Sequence, residues 1–573
     1  MMDAERRVTT RRRLVLVATA LGLFGVGLLA QLARWQLVQG SGLAAAASDE
    51  YVRRETLAAR RGTIYSSDGR PLSTDVYASI LSAAPDAVDN PRELADRLFP
   101  LIGVGRDELA RKLDSDALWE PLSDEVPLRL ADEISTWNEP GLSLASRLSR
   151  AFPDAGMYEP LLGFVNRARD GYYGVEGYYD ERLRGQPGAR LGELDSYGQD
   201  VPFGHTILEP PSDGADLVLT LDSRVQYVIW RELRAALEKY QAESGSIIVV
   251  EPSTGAILGA VSLPSYDPNG YEQSEAKLFE DPLVSREYEP GSVFKVVTMA
   301  AGLDSGAVSP DTVYEDTGEF EIAGVTIHNW DRSAHGKVTM TDVLAYSLNT
   351  GASHVSTTVG AETFYGYVAD FGFGRPTGVD LAAEVAGRVK IPGDGRWYEA
   401  DLATNSFGQG LAVTPLQMVF SFAAVANGGV LMQPYIVQSV VSEDGAVVTE
   451  PRPVRQVISR RTAQTLTQMM IEAVERETAA AKVPGYVIAG KTGTAQIPIP
   501  GGYDPSGTIA SFIGFLPAEA PRLCILIKID RPRASPWGSQ VAAPIFGRVA
   551  SELVLILGIE PDPIAVAQSG AGQ

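Results

Sequence analysis

The sequence predicts an α+β protein anchored by one N-terminal membrane helix, with a mixed first part and a larger second part that carries the chemical motifs. Three observations lead there. Residues 14–30 hold no charge and, apart from Thr19, no strongly polar group, and the apolar run reaches residue 33 past Gln31; that length just spans a bilayer core. Residues 40–213 alternate helix and strand signals between glycine turns. From residue 217 onward, β-branched strand pieces and helix-period stretches follow one another and end in an apolar helix signal at 543–557.

The anchor comes first. Arg6, Arg7, Arg11, Arg12 and Arg13 precede the apolar run, and with Asp3 and Glu5 they give residues 1–13 a net charge of +3, against −26 for the rest. The positive-inside rule keeps this tail in the cytoplasm and puts the acidic bulk outside, as in a single-pass protein of the plasma (inner) membrane. A cleaved signal peptide would have a shorter apolar region with small residues close behind it. Here the alanines at 44–47 come too late, and Trp35 suits an interfacial anchor. A chain of 573 residues has room for several domains, and 45% hydrophobic against 21% charged residues excludes a disordered one. Its net charge of −23 argues against nucleic-acid binding. The histidines, at 205, 328, 335 and 354, lack paired spacing, so neither a metal nor a cofactor is expected. Cys524 is the single cysteine, which excludes an internal disulfide, and its apolar surroundings at 523–529 read as a buried strand.

In the first part, Asn90-Pro91 opens a helix with Leu94, Leu98 and Leu101 on one face. A boundary falls near residue 215. Then come a short apolar strand at 217–221, a helix at 224–240, and a hairpin of strands 247–250 and 256–261 around Pro252-Ser253-Thr254-Gly255. A second hairpin, 508–515 with 523–529, precedes the closing helix and a tail rich in Gly, Ala and Gln. No charge occurs between Asp401 and Glu443, yet Pro415, Gln417 and Asn427-Gly428-Gly429 leave only 418–426 uninterrupted, the length of a core helix. The predicted division is a 1–13 tail, a 14–36 anchor, a 37–215 domain, a 216–560 domain and a 561–573 tail.

Three motifs mark the second domain. In Tyr288-Glu289-Pro290-Gly291-Ser292-Val293-Phe294-Lys295, Pro-Gly delivers Ser292 to a helix start, with Lys295 one turn on and on the same face. A serine hydroxyl is a weak nucleophile until a base takes its proton, and a lysine takes it when burial beside another cation keeps the amine neutral. Ser-x-x-Lys alone is weak, and Ser274-Glu275-Ala276-Lys277 repeats it in charged sequence without the Pro-Gly. Ser347-Leu348-Asn349 and Lys491-Thr492-Gly493-Thr494 add weight: each is the single Ser-x-Asn or Lys-Thr-Gly of the chain. Taken singly, Ser347 reads as a helix cap, Lys491 as a solvated charge and Asn349 as a tie between loops. Taken in order, the three motifs suit acyl transfer from a peptide that ends in a carboxylate. Lys491 and the hydroxyls of Thr492 and Thr494 would hold that carboxylate, and Gly493 would let the substrate backbone approach an edge strand. The backbone N–H groups of Ser292 and Thr494 would form an oxyanion hole, Ser347 would relay a proton to the leaving amine, and Asn349 would bind the substrate amide.

This ordered triple is the signature of class A β-lactamases and penicillin-binding proteins, with Leu348 where the general middle motif has Asp. Over nearly its whole length the chain resembles the class B penicillin-binding proteins, membrane-anchored D,D-transpeptidases that cross-link peptidoglycan. Arg60-Arg61-Gly62-Thr63-Ile64-Tyr65 is similar to the start of that family's non-catalytic pedestal, although Ser66-Ser67-Asp68 departs from its usual Asp-Arg-Asn. Tyr173-Gly174-Val175-Glu176-Gly177-Tyr178-Tyr179-Asp180 resembles the pedestal's second signature. Phe407-Gly408-Gln409-Gly410 with Val413-Thr414-Pro415-Leu416-Gln417 is similar to the segment ahead of Lys-Thr-Gly. The resemblance implies an elongated, dimerisation-type pedestal and a serine β-lactamase-like transpeptidase domain, a five-stranded antiparallel sheet flanked by helices. It implies that Ser292 attacks the penultimate D-alanine carbonyl of a stem pentapeptide ending in D-Ala-D-Ala, that Lys295 is the base, and that β-lactam antibiotics acylate the same serine. It also implies a membrane glycan polymerase and division proteins as partners. Lys-Thr-Gly-Thr and Gly-Gln-Gly resemble division-type more than elongation-type members. The alternatives are an elongation-type transpeptidase, a membrane-anchored β-lactam sensor, or a β-lactamase with Glu384 or Glu399 nominated as its deacylating base.

Overall fold

The computed structural model describes residues 2–43, 52–193 and 207–562. The alanines at 44–47, His205 and residues 563–573 of the predicted tail lie outside these. Two compact units result, one of residues 1–60 with 185–213, the other of 61–184 with 214–573. In the first, the helix Met2–Ala33 continues as a π-helical turn, Arg34–Val38. Its segment Thr9–Val38 is long and apolar enough to cross a membrane, and none of its apolar window is buried in protein. Side chains such as Leu16 and Phe24 are accordingly exposed, as a lipid-facing helix requires. The strands Val52–Leu57, Gly188–Glu193 and Ile207–Glu209 form a small antiparallel sheet in this unit.

The second unit is organised by an antiparallel five-stranded sheet in the order Ile257–Leu263, Ser244–Val250, Leu523–Asp530, Gly502–Leu516, Ala489–Ile499. Its strands are apolar on both faces, and the period of two sorts them into layers. Ile248, Val250, Ile513, Cys524 and Leu526 join one core, which includes the helix Pro415–Ala426. Ile247, Val249, Phe512, Ile525 and Ile527 join the other, under the helices Ser223–Tyr240 and Gly538–Ile556. Asp222 caps the first of these helices by accepting from the backbone N–H of Arg224 and Val225, and Val225, Ile229, Leu233 and Ala236 recur at helical spacing on its buried face. Gly538–Ile556 is apolar and long enough to span a membrane, but 56% of its apolar window is buried, so it is a core helix. Pro415–Ala426 is a core helix as well, started by a reciprocal Thr414–Gln417 capping box with Pro415 in the first turn.

One of the predicted strands belongs to a second sheet. The strand expected at 217–221 is Asp216–Leu219, and it lies outside the five-stranded sheet. It pairs in parallel with Ile64–Tyr65 and antiparallel with Val437–Ser442, within a seven-stranded sheet that also holds Pro71–Ala83, Glu120–Pro127, Leu142–Ala151 and Gly445–Val448. Leu217 and Leu219 are fully buried there; alternation fixes which face is apolar, not which distant strand covers it.

The two pedestal signatures meet in a buried ionic knot. Arg61 donates to Glu176 through Nε at 2.7 Å and to Asp180 at 2.7 Å, while Arg150 reaches Glu176 at 2.7 Å and Arg169 reaches Asp75 at 2.6 Å. Burial alone would raise the Glu176 carboxyl, but Arg150 and Arg61 outweigh it and hold the group below its ordinary value.

Candidate active site

Pro290-Gly291 leads into a 3-10 turn, Gly291–Phe294, from which the α-helix Lys295–Asp304 continues. Ser292 therefore sits on a tighter turn than an α-helical start, and it still shares a face with Lys295, whose Nζ lies 3.0 Å from Ser292 Oγ. The turn that carries Ser292 is pinned from behind. Gly291 N–H donates to Gly408 O at 3.1 Å, Tyr288 and Val413 exchange two backbone hydrogen bonds, and Glu289 accepts from Gly410 N–H at 3.1 Å. Gly408 has φ +80°, and a Cβ there would come within 2.3 Å of Gly291 O, so only glycine allows this contact.

The three motifs converge on the Lys295 amine. Besides Ser292, Nζ meets Ser347 O at 2.6 Å, Asn349 Oδ1 at 2.7 Å and Ser347 Oγ at 3.2 Å. Asn349 is oriented by its Nδ2, which donates to His328 O at 3.0 Å, so its Oδ1 faces the lysine as an acceptor. Lys295 is 2% exposed and has no carboxylate among these partners. Burial, reinforced by the Lys491 cation, holds its amine well below the ordinary lysine range. A neutral amine has two N–H donors and one lone pair; the carbonyl of Ser347 and the amide oxygen of Asn349 can only accept, so they take both donors. The lone pair is left for a hydroxyl, and Ser292 supplies one. An amine held in this way is able to take the proton of that hydroxyl.

Ser347 adopts φ +61°, a strained conformation for serine that turns its carbonyl and its hydroxyl to Lys295 together. Lys491 Nζ lies 3.1 Å from Ser347 Oγ, so the hydroxyl bridges the two lysines. Lys491 is buried too, and desolvation pushes its amine down to about 7 although Glu477 opposes the shift. Lys491, Thr492, Gly493 and Thr494 all lie on Ala489–Ile499, an edge strand whose only sheet neighbour among the described residues is Gly502–Leu516. Gly493 is required for a reason other than substrate approach: a Cβ there would meet Ser511 Oγ at 2.4 Å and Val293 at 3.0 Å. Thr494 Oγ1 accepts from Gly538 N–H at 3.0 Å. Ser292, Ser347, Thr492 and Thr494 line one cleft of about 350 Å³.

The motifs do not announce everything in that cleft. Trp330, Tyr346, Glu477, Trp537 and Gln540 also line it. Trp330 and Trp537 meet edge to face with ring centres 5.4 Å apart, and Trp330 Nε1 donates to Tyr346 O. Asn329 accepts from the Asn349 and Thr350 backbone N–H groups and donates to buried Asp316, which ties the start of the Asn349 helix in place. The second Ser-x-x-Lys has no such setting. Lys277 lies on a 3-10 turn, Ala276–Leu278, and pairs with Glu275 at 2.6 Å. Glu384 spends its carboxylate on Thr377 and Gly378, Glu399 starts a helix, and neither lines the cleft. Cys524 is buried in its strand with its thiol pushed up by desolvation.

Comparison with known proteins gives this geometry its relatives. Residues 245–551 match the penicillin-binding protein transpeptidase domain, and residues 56–219 match the penicillin-binding protein dimerisation domain. Stage V sporulation protein D of Bacillus subtilis is 33% identical over 97% of this chain and 87% of its own. The peptidoglycan D,D-transpeptidase FtsI of Escherichia coli is 30% identical over 94% and 90%. The crystal structure of penicillin-binding protein 3 from Mycobacterium tuberculosis in complex with aztreonam superposes with a TM-score of 0.68 at 27% identity, covering 89% of this chain and 98% of that one. The chain thus belongs to the class B penicillin-binding proteins and is a serine-type peptidoglycan D,D-transpeptidase.

Proposed function

We propose that this protein cross-links stem peptides during septal wall synthesis, with Ser292 as nucleophile and Lys295 as its base. The observation that carries the assignment is the Lys295 amine, whose two N–H donors are committed to pure acceptors and whose lone pair is left for Ser292. Ser292 Oγ bonds to the penultimate D-alanine carbonyl carbon as its proton passes to Lys295. The N–H groups of Ser292 and Thr494 stabilise the oxyanion. Collapse breaks the C–N bond, and the proton leaves with terminal D-alanine through Ser347. An amine of a second stem peptide then attacks the ester, gives its proton to Lys295, and releases the Ser292 hydroxyl. Lys491, Thr492 and Thr494 hold the terminal carboxylate, Gly493 keeps the strand close to the nucleophile turn, and Asn349 binds the donor amide. Penicillin enters the same path and stops at the acyl-enzyme.

In this reading residues 1–13 are cytoplasmic, 14–36 cross the inner membrane, 37–215 form the pedestal and 216–560 the catalytic domain outside. A membrane glycan polymerase supplies the strands to be joined. The names of FtsI and the sporulation protein, together with the Lys-Thr-Gly-Thr and Gly-Gln-Gly segments, support the septal role. The test is a donor ending in D-Ala-D-Ala incubated with an amine acceptor and analysed by mass spectrometry. Amide product in excess of hydrolysed donor is expected; hydrolysis alone at saturating acceptor would contradict a cross-linking role. A fluorescent fusion should gather at division sites, and even distribution along the lateral wall would contradict the septal assignment.

A further inference from the structure

A second, larger groove of about 1080 Å³ adjoins the catalytic cleft, and the two share Trp330, Thr494 and Trp537 in their walls. It follows the far end of the edge strand: Thr494 and Gln496 line the groove, whereas Thr492 lines the cleft. The nucleophile turn packs between these ends, since a Cβ on Gly291 would touch Ala495 at 3.0 Å and one on Gly493 would touch Val293 at 3.0 Å. A peptide added antiparallel to this strand, with its terminal carboxylate at Lys491 and its reacting carbonyl opposite residues 493–495, would send its upstream residues past Gln496. From Lys491 to Gln496 the strand advances about 17 Å, room for about five peptide residues.

The charge in this groove departs from that of the whole chain, which carries −23. Three arginines line it. Arg531 is neutralised by Asp504 at 2.5 Å and Glu243 at 3.4 Å. Arg332 and Arg533 line it as well, both exposed, and among the described residues neither guanidinium has a hydrogen bond or ion pair. Two unopposed guanidinium groups along the path of the donor backbone suit a carboxylate, which a guanidinium binds through paired N–H donors.

We propose that Arg332 and Arg533 form a specificity subsite for an anionic donor, reading a carboxylate on a residue upstream of the scissile bond. The inference rests on the strand-addition reading above, in which Lys491 marks the carboxyl end of the donor. The test uses the full-length protein in detergent and N-acetylated peptides ending in D-Ala-D-Ala, with glutamate or glutamine placed in turn at each of the three residues upstream. At one position glutamate should raise kcat/KM over glutamine by about three- to tenfold, mainly through KM, and the preference should shrink in high salt. In the double variant Arg332→Gln, Arg533→Gln the glutamate donor should fall to the glutamine value, while the glutamine donor and the rate of acylation by benzylpenicillin stay unchanged. No preference at any position, or a preference kept by the double variant, would overturn the subsite while leaving Ser292 acylation intact. A wild-type protein that benzylpenicillin does not acylate at Ser292 would overturn the parent reading and this one together.

Discussion

In the proposed mechanism, two buried lysines without a carboxylate between them set the chemistry of the site. Lys295 must be neutral to take a proton, so acylation falls as pH drops through its depressed pKa. Lys491 must be charged to hold a carboxylate, and its amine titrates at about 7, so acylation also falls as pH rises beyond that value. The rate of acylation by penicillin, divided by its binding constant, should therefore be bell-shaped in pH. Because the Lys491 cation helps to keep Lys295 neutral, Lys491→Ala should shift the acidic limb to higher pH, abolish the alkaline limb, and lower the maximum. An acidic limb that stayed in place would show that burial alone tunes Lys295. At this scale the motifs were legible in the sequence because each is short and local. The residues around them were not: Asn329 holds the start of the Asn349 helix and Trp330 reaches the cleft from a loop that carries no repeated spacing, and Trp537 arrives just ahead of the last helix.

Strands and helices were legible where burial is two-sided or strictly periodic. The strand Leu523–Asp530 and the helix Ser223–Tyr240 lie within three residues of their predicted bounds. Asp216–Leu219 lies within two residues of the strand expected at 217–221, but its sheet was not legible, because its partners are Ile64–Tyr65 and Val437–Ser442, each more than 150 residues away along the chain. A separation of 115 residues likewise hid the link between the two pedestal signatures. Arg61 and Glu176 read as separate motifs, yet they form one buried pair. Arg61→Ala leaves Glu176 in a dry site with Arg150 as its remaining cation, and a destabilisation of about 3–5 kcal/mol is expected in denaturant unfolding. A change under about 1 kcal/mol would mean that water reaches the vacated space.

For the whole molecule, the proposed topology has the catalytic unit outside the cytoplasm, and the lone cysteine makes this testable. Cys524 is fully buried with its thiol pushed up, so it is inert towards surface reagents. Glu275→Cys creates one exposed thiol. A membrane-impermeant maleimide should label that variant in wall-stripped intact cells and leave the parent protein unlabelled; labelling only after lysis would invert the topology. The central claim is that one serine, positioned by all three motifs, forms the acyl-enzyme. Intact mass of the purified full-length protein after exposure to benzylpenicillin tests it most directly, beside Ser292→Ala and Ser274→Ala. A single stable adduct, kept by Ser274→Ala and lost by Ser292→Ala, is the predicted result. An adduct that survives in Ser292→Ala, or its absence from folded wild-type protein, would contradict the account.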